Sequence, residues 1–286
     1  MPGPDWTLFL RTPVFEAYAL LVGLIVGSFA NVCIHRLPAD FEPAPGRLGF
    51  LRDLWRQLAS VVHPPSHCPR CRTPIRWLDN VPIVSWIVLR ARCRSCGLPI
   101  PARYPAVEAL HGLLWLALAV LHGPRPRTIV EMAFVTAILV LLVIDLEHQL
   151  LPDAVTLPGT LGALASSFLP GSPLVPLESF LAAAGGYLVF AFVAWLWRTL
   201  RKVEALGEGD WKMAALLGAF FGWERLLLVL LVASTAGAVV GIGAIVARRG
   251  DWQSRLPFGT FLGLAAMLVL FGGELLLGAY RGLFRG

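Results

Sequence analysis

The sequence predicts an all-α polytopic membrane protein of about eight transmembrane helices, with one polar insert between the first and the second. Three observations carry this. Of 286 residues, 57% are hydrophobic and only 15% charged, where a soluble domain carries about 25% charge. The apolar residues gather into runs of roughly 17–25, the length that crosses a hydrocarbon core as a helix. One long arginine-rich stretch, His35 to Arg103, interrupts them.

Taken in order, the candidate spans are 15–34, 104–121, 128–145, 154–170, 178–199, 212–223, 225–247 and 258–280. The sixth, Lys212 to Trp223, is too short for a straight crossing and reads as tilted or as re-entrant against the seventh. The division is then an N-terminal tail (1–14), a first span (15–34), the insert (35–103) and a membrane core (104–286). The first span lacks a basic leader and a small-residue cleavage pattern, so it reads as a retained anchor.

Basic residues orient the chain. The insert holds eleven arginines (36, 47, 52, 56, 70, 72, 76, 90, 92, 94, 103) against four acids (40, 42, 53, 79). That places it on the cytoplasmic side and the N-terminus outside. By count, the segments after Asp145, around Asp210 and at Arg248–Arg249 are cytoplasmic too, while Arg125 and Arg127 fall outside. The net charge of +6 expresses this asymmetry and membrane-lipid contact, and no nucleic-acid partner is read from it.

Four of the five cysteines form Cys68-x2-Cys71 and Cys93-x2-Cys96, with twenty-one residues between the pairs. Each pair forms a knuckle presenting two thiolates, and two knuckles complete a tetrahedral zinc site. A reducing cytoplasm disfavours disulfides. Four thiolates close the coordination shell, so this is a cytoplasmic zinc-binding insert in which Zn2+ is structural and folds a segment too small for its own core. Gly97 suits a chain reversal after the second pair. Cys33 reads as a buried apolar residue, and His63 and His67 as loop histidines.

Two aspartates sit at apolar boundaries. Asp145 ends Ile138–Ile144, and Asp210 closes Gly207-Glu208-Gly209-Asp210. Carboxylates at the edge of the hydrocarbon are costly and usually functional. Both fall on one face of the membrane, so together they read as a dyad sharing a proton that activates water against a peptide bond. Gly207 and Gly209 permit a close backbone approach beside Asp210. Lys212 reads either as site support, pairing with an acid or lipid, or as a snorkelling side chain. Pro152 breaks the helix after Asp145, Asp153 reads as a cap on the next helix, Glu147 and His148 read either as solvated or as tuning the dyad or contacting substrate, and Glu208 reads as solvated. The rival for paired membrane carboxylates is proton or cation transport, or a zinc-stabilised scaffold.

From about Gly23 to Leu264 the chain resembles the type IV prepilin peptidases, bacterial inner-membrane aspartyl proteases. The resemblance rests on Gly27-Ser28-Phe29-Ala30-Asn31-Val32, His35-Arg36-Leu37-Pro38, the four cysteines, Asn80–Trp86 and Arg103–Glu108. It continues in Ile144-Asp145, Leu151-Pro152-Asp153, Gly207–Lys212 and Pro257-Phe258-Gly259. It implies Asp145 and Asp210 as the catalytic pair and prepilins or pseudopilins as substrates. It further implies cleavage of a basic leader after glycine, then N-methylation of the new terminus with S-adenosylmethionine; a peptidase without methylation is the alternative. No Gly-x-Gly-x-x-Gly fingerprint marks a methyl-donor site; the insert, the first span and Glu108 are its candidates. One departure is Ala91, which stands where the family commonly has glycine. Neither the set of prepilins nor the oligomeric state is legible in the residues.

Overall fold

The computed structural model of the chain describes residues 13–38, 47–63, 65–202, 207–247 and 256–283. The expectations for the tail before Pro13, for Asp40 and Glu42, and for Arg248 and Arg249 lie outside the described residues. Nine α-helices are described: α1 (Pro13–Arg36), α2 (Arg47–Val62), α3 (Val84–Val88), α4 (Arg103–His122), α5 (Pro126–His148), α6 (Asp153–Ser166), α7 (Pro176–Arg201), α8 (Glu208–Val246) and α9 (Phe258–Leu283). The described residues hold only two isolated β-bridges, both in the insert.

Six helices are long and apolar enough to cross a membrane: α1, α4, α5, α7, α8 and α9. The eight expected segments are all helical, but two do not stand as independent crossings. α6 has 14 residues, about 21 Å at 1.5 Å per residue, short of a ~30 Å core. The sixth and seventh segments are the two arms of α8, 39 residues broken at Gly222 (φ 72, ψ −176). That conformation is open essentially to glycine alone, and an added Cβ would meet Leu174 Cδ2 at 2.7 Å and Glu178 Oε1 at 2.9 Å.

The chain divides into two compact units, Met1–Thr136 and Ala137–Gly286. In the first, α1 packs on α4 through small residues. A Cβ on Gly23 would lie 3.1 Å from Gly112 Cα, and one on Gly27 3.0 Å from Glu108 Cα. Four residues apart, these glycines let two backbones approach as membrane helices commonly do. Polar groups in the contact are bonded: His111 Nδ1 lies 2.6 Å from Gly23 O, and Asn31 Nδ2 donates to Tyr104 O at 3.0 Å.

In the second unit α8 is the central element, packed by α6, α7 and α9. Met213, Leu216, Leu217 and Phe220 are fully buried. Gly218 lies against the carbonyl of Ala182, Gly186 against that of Ala214, and Ser179 Oγ donates to Ala219 O at 2.6 Å. This packing holds the start of α8, and with it Asp210, against its neighbours.

Candidate active site and metal centre

Asp145 lies in the last turn of α5, and the chain leaves that helix through Gln149 at positive φ (54°). Asp210 is the third residue of α8. Both are buried, at 5% and 9% exposure. Their partners differ. Oδ2 of Asp145 accepts the backbone N–H of Thr260 at 2.5 Å and its hydroxyl at 2.9 Å. Thr260 is in the first turn of α9, where free N–H groups and the helix dipole favour negative charge. Oδ2 of Asp210 accepts one N–H, that of Gly207 at 3.1 Å, a carboxylate reaching back to its own helix start.

The loop between α5 and α6 joins these two environments. The side chain of Leu151 sits where a Cβ on Gly209 would fall, 2.7 Å from Leu151 Cβ. Its Cδ1 also lies 3.0 Å from the Cβ position of Gly259, and that position is 2.9 Å from Asp145 Cγ. One leucine thus packs against the glycine preceding Asp210 and the glycine that abuts Asp145. Gly209 is required by this contact, whereas Gly207 supplies its N–H. Gly259 and Thr260 lay beyond what residue types alone assign. The Pro-Phe-Gly at 257–259 marked the place, but only the packing of α9 on α5 shows its contact with Asp145.

Asp153 starts α6 without making a side-chain cap. Its Oδ1 instead takes Lys212 Nζ at 2.6 Å, both groups being partly buried. Lys212 therefore ties the first turn of α8 to that of α6, two residues from Asp210. Glu147, His148 and Glu208 are exposed.

The four insert cysteines come together, with every Sγ within 4.8 Å of the others. Cys68 and Cys96 Sγ are 3.7 Å apart, and Cys71 and Cys93 Sγ 4.0 Å. Four sulfurs about 2.3 Å from a tetrahedral zinc stand about 3.8 Å from one another, nearly double a disulfide bond. The donor set and spacing fit a metal ion. The two knuckles share one build. The N–H groups of Cys68 and Cys93 donate to Thr73 O and Leu98 O, those of Arg72 and Gly97 return to Cys68 O and Cys93 O, and Arg72 and Gly97 have positive φ. Donors from Thr73, hydroxyl then N–H, pull the Cys71 thiol down to about 6. N–H groups of Cys96 and Ser95 lower that of Cys93. These two shifts favour the thiolate, the form that binds metal. At Cys96 the Leu98 N–H, which lowers the thiol, is outweighed by burial and the three neighbouring cysteines, which raise it to about 11. Arg94 grips both carboxylate oxygens of Asp79 across the insert. Cys33 lies apart in α1. Glu108, buried, accepts the N–H of Ile83 at 2.7 Å and so holds the insert to α4.

The fold and these two centres define a multi-pass membrane protein with a four-cysteine metal site and a buried carboxylate pair. Residues 21–122 match the bacterial peptidase A24 N-terminal domain, and residues 132–242 match the type IV leader peptidase family. Relatives named prepilin leader peptidase/N-methyltransferase share much of the sequence. That of Aeromonas salmonicida (strain A449) is 38% identical over 91% of this chain and 92% of its own. That of Burkholderia pseudomallei (strain K96243) is 38% identical over 92% and 87%. That of Pseudomonas putida is 37% identical over 94% and 96%. No solved structure matches. The chain belongs to the type IV leader peptidase family.

Proposed function

We propose that the protein is a membrane-embedded aspartyl endopeptidase that removes the basic leader of prepilins and pseudopilins after glycine, with Asp145 and Asp210 as its catalytic pair. It then N-methylates the new terminus. The observation that carries the assignment of the pair is the convergence of two buried carboxylates around Leu151, from helix ends 65 positions apart in sequence. Their unequal partners support a division of labour. Asp145, with two donors on one oxygen, holds the negative charge, and Asp210, with one, holds the shared proton.

In the reaction, Asp145 takes a proton from water as the water oxygen bonds to the glycyl carbonyl carbon. Asp210 gives its proton to the carbonyl oxygen. The resulting diol collapses: Asp145 returns its proton to the departing amine nitrogen, the C–N bond breaks, and Asp210 recovers a proton from the diol hydroxyl. Both groups end as they began, and no acyl-enzyme forms. Lys212, paired with Asp153, supports the site by fixing the start of α8.

S-adenosylmethionine would supply an electrophilic methyl group to the free amine; no residue is assigned to holding it, and the bonded state of Glu108 fits a structural role. Zn2+ is the metal that suits four thiolates, held by Cys68, Cys71, Cys93 and Cys96, with no position left for chemistry. The excess of arginine in the insert supports a bacterial inner-membrane orientation with the N-terminus outside and both centres cytoplasmic.

The test is cleavage of a purified prepilin in liposomes by wild type, Asp145→Asn and Asp210→Asn, with mass spectrometry of the product. The expected result is leader removal by wild type alone, with one added methyl group when S-adenosylmethionine is present. Cleavage by either folded variant would refute the dyad. No cleavage by folded wild type would leave transport or a scaffold.

A further inference from the structure

Residues 47–62 belong to the polar insert by sequence position, yet they fold as an amphipathic helix with an uncovered face. Leu51, Trp55, Leu58 and Val62 recur at i, i+4, i+7 and i+11, one stripe of a helix. They are 60%, 72%, 40% and 67% exposed. Arg52 and Arg56 are exposed as well, while Leu54, Gln57 and Ser60 are partly covered. The outward surface of α2 is therefore part apolar and part basic.

We propose that α2 lies on the bilayer surface, in the headgroup layer of the leaflet that α1 reaches at Arg36. Its Leu51–Val62 stripe is in lipid, and Arg52 and Arg56 face anionic phospholipid headgroups. Two observations select lipid as the occupant. First, α1 is a membrane-crossing helix whose apolar run ends at Ile34, so Arg36 marks the interface. Arg36 Nη1 donates to Ser60 O at 2.9 Å and Val61 O at 3.4 Å, the free carbonyls of the last turn of α2. That bond sets the end of α2 at interfacial depth. Second, the exposed flank of α1 meets the end of α2: Ile25 and Phe29 line one cleft of about 470 Å³ with Val61 and Val62, and Arg36, Ser66 and Asn80 line it too. Lipid on the flank of α1 therefore reaches the end of α2 through a cleft of mixed apolar and polar lining, the character of the headgroup boundary.

The chemistry is that of an interfacial helix. About 24 Å long, it carries an apolar face, arginines beside it and a tryptophan suited to the headgroup boundary. Arg56 is in part neutralised by Asp53, 3.8 Å away, so Arg52 bears more of the headgroup attraction. The four-cysteine centre follows α2 by six residues, so the metal site is anchored close to the membrane rather than on a free stalk.

The test uses full-length protein in phosphatidylcholine vesicles, with and without phosphatidylglycerol. Nitroxide-labelled lipids carry the quencher either near the glycerol backbone or near the acyl end. The signal of Trp55 is the fluorescence difference between wild type and Trp55→Phe. The shallow quencher should act at least roughly twofold more strongly than the deep one. Stronger deep quenching, or none by either, would overturn the proposal; the latter would mean that protein or water covers the stripe. Deuterium uptake across 47–62 should fall when phosphatidylglycerol is added, and Arg52→Glu/Arg56→Glu should abolish that fall. An unchanged fall would overturn the headgroup contact. Wild-type metal content in each variant shows that the insert has folded.

Discussion

Thr260 brings two donors to one oxygen of Asp145, the N–H at 2.5 Å and the hydroxyl at 2.9 Å, with Pro257 O at 3.2 Å and Leu142 O at 3.4 Å as their longer second acceptors. The contact joins the end of α5 to the start of α9. Hydrogen bonds to a charged group are worth about 1.5–3 kcal/mol. Thr260→Val keeps the shape and the N–H but deletes the hydroxyl. It should lower kcat/KM for prepilin cleavage by about ten- to a hundredfold, and Thr260→Ser should restore most of it. Equal rates for Val and wild type would remove Thr260 from the site.

Gly259 is the closest neighbour that would be forced onto Asp145. An alanine Cβ there would stand 2.9 Å from Asp145 Cγ and 3.0 Å from Leu151 Cδ1. Displacement of a reacting group by about 1 Å can cost a hundredfold in rate. Gly259→Ala should therefore cut kcat at least about tenfold, while thermal unfolding in detergent shows a well-folded protein. Gly272→Ala, where nothing lies within 4 Å of the added methyl, is the matched control and should cleave normally.

The Lys212–Asp153 pair is partly buried, at 24% and 20% side-chain exposure. Removing either partner leaves a half-buried charge. Lys212→Met and Asp153→Asn should each destabilise by about 1–3 kcal/mol, and the double variant by less than the sum. A double-mutant cycle from denaturant unfolding measures this; strict additivity would mean the two do not act as a pair.

Metal content reads the insert directly. Purified protein should carry about one zinc per chain, and Cys96→Ser should lose most of it. Strong chelators should unfold the insert, seen as proteolysis between Cys68 and Cys96, while the membrane helices stay protected. Cys33→Ser, far from the cluster in sequence and in α1, should keep the metal.

Ala91 occupies a left-handed conformation (φ 56), with its N–H bonded to Trp86 O and its carbonyl to Ile100 N–H. An alanine held there is strained by about 1 kcal/mol relative to glycine. Ala91→Gly should therefore slow chelator-driven metal loss measurably. No change would show that the loop relaxes elsewhere.

The helical class, the four-cysteine set and the two boundary aspartates were legible in the residues. Each rests on local chemistry: run length against bilayer thickness, thiol spacing against coordination geometry, and a charge beside apolar neighbours. The break at 149–152 was legible for the same reason, through Pro152. Other features were settled only by the tertiary structure. Asp153 reads by position as a cap, but its carboxylate meets Lys212, because α8 starts beside α6. The sixth and seventh apolar segments follow one another without a loop, divided at Gly222, whose φ of 72 and ψ of −176 lie outside the helical region.

The insert shows the same division. Its excess of arginine was legible, but the amphipathic face of α2 emerges only when residues 51 to 62 are wound at 3.6 per turn and Arg36 caps the end. Residue type does not show what Glu108 touches; in the fold its carboxylate accepts the N–H of Ile83. Sequence by itself determined which groups this protein carries and the medium it folds in, because composition and spacing act over a few residues. Only the tertiary structure decided which donors surround Asp145. Thr260 and Asp145 are 115 positions apart, and no local rule couples residues at that distance.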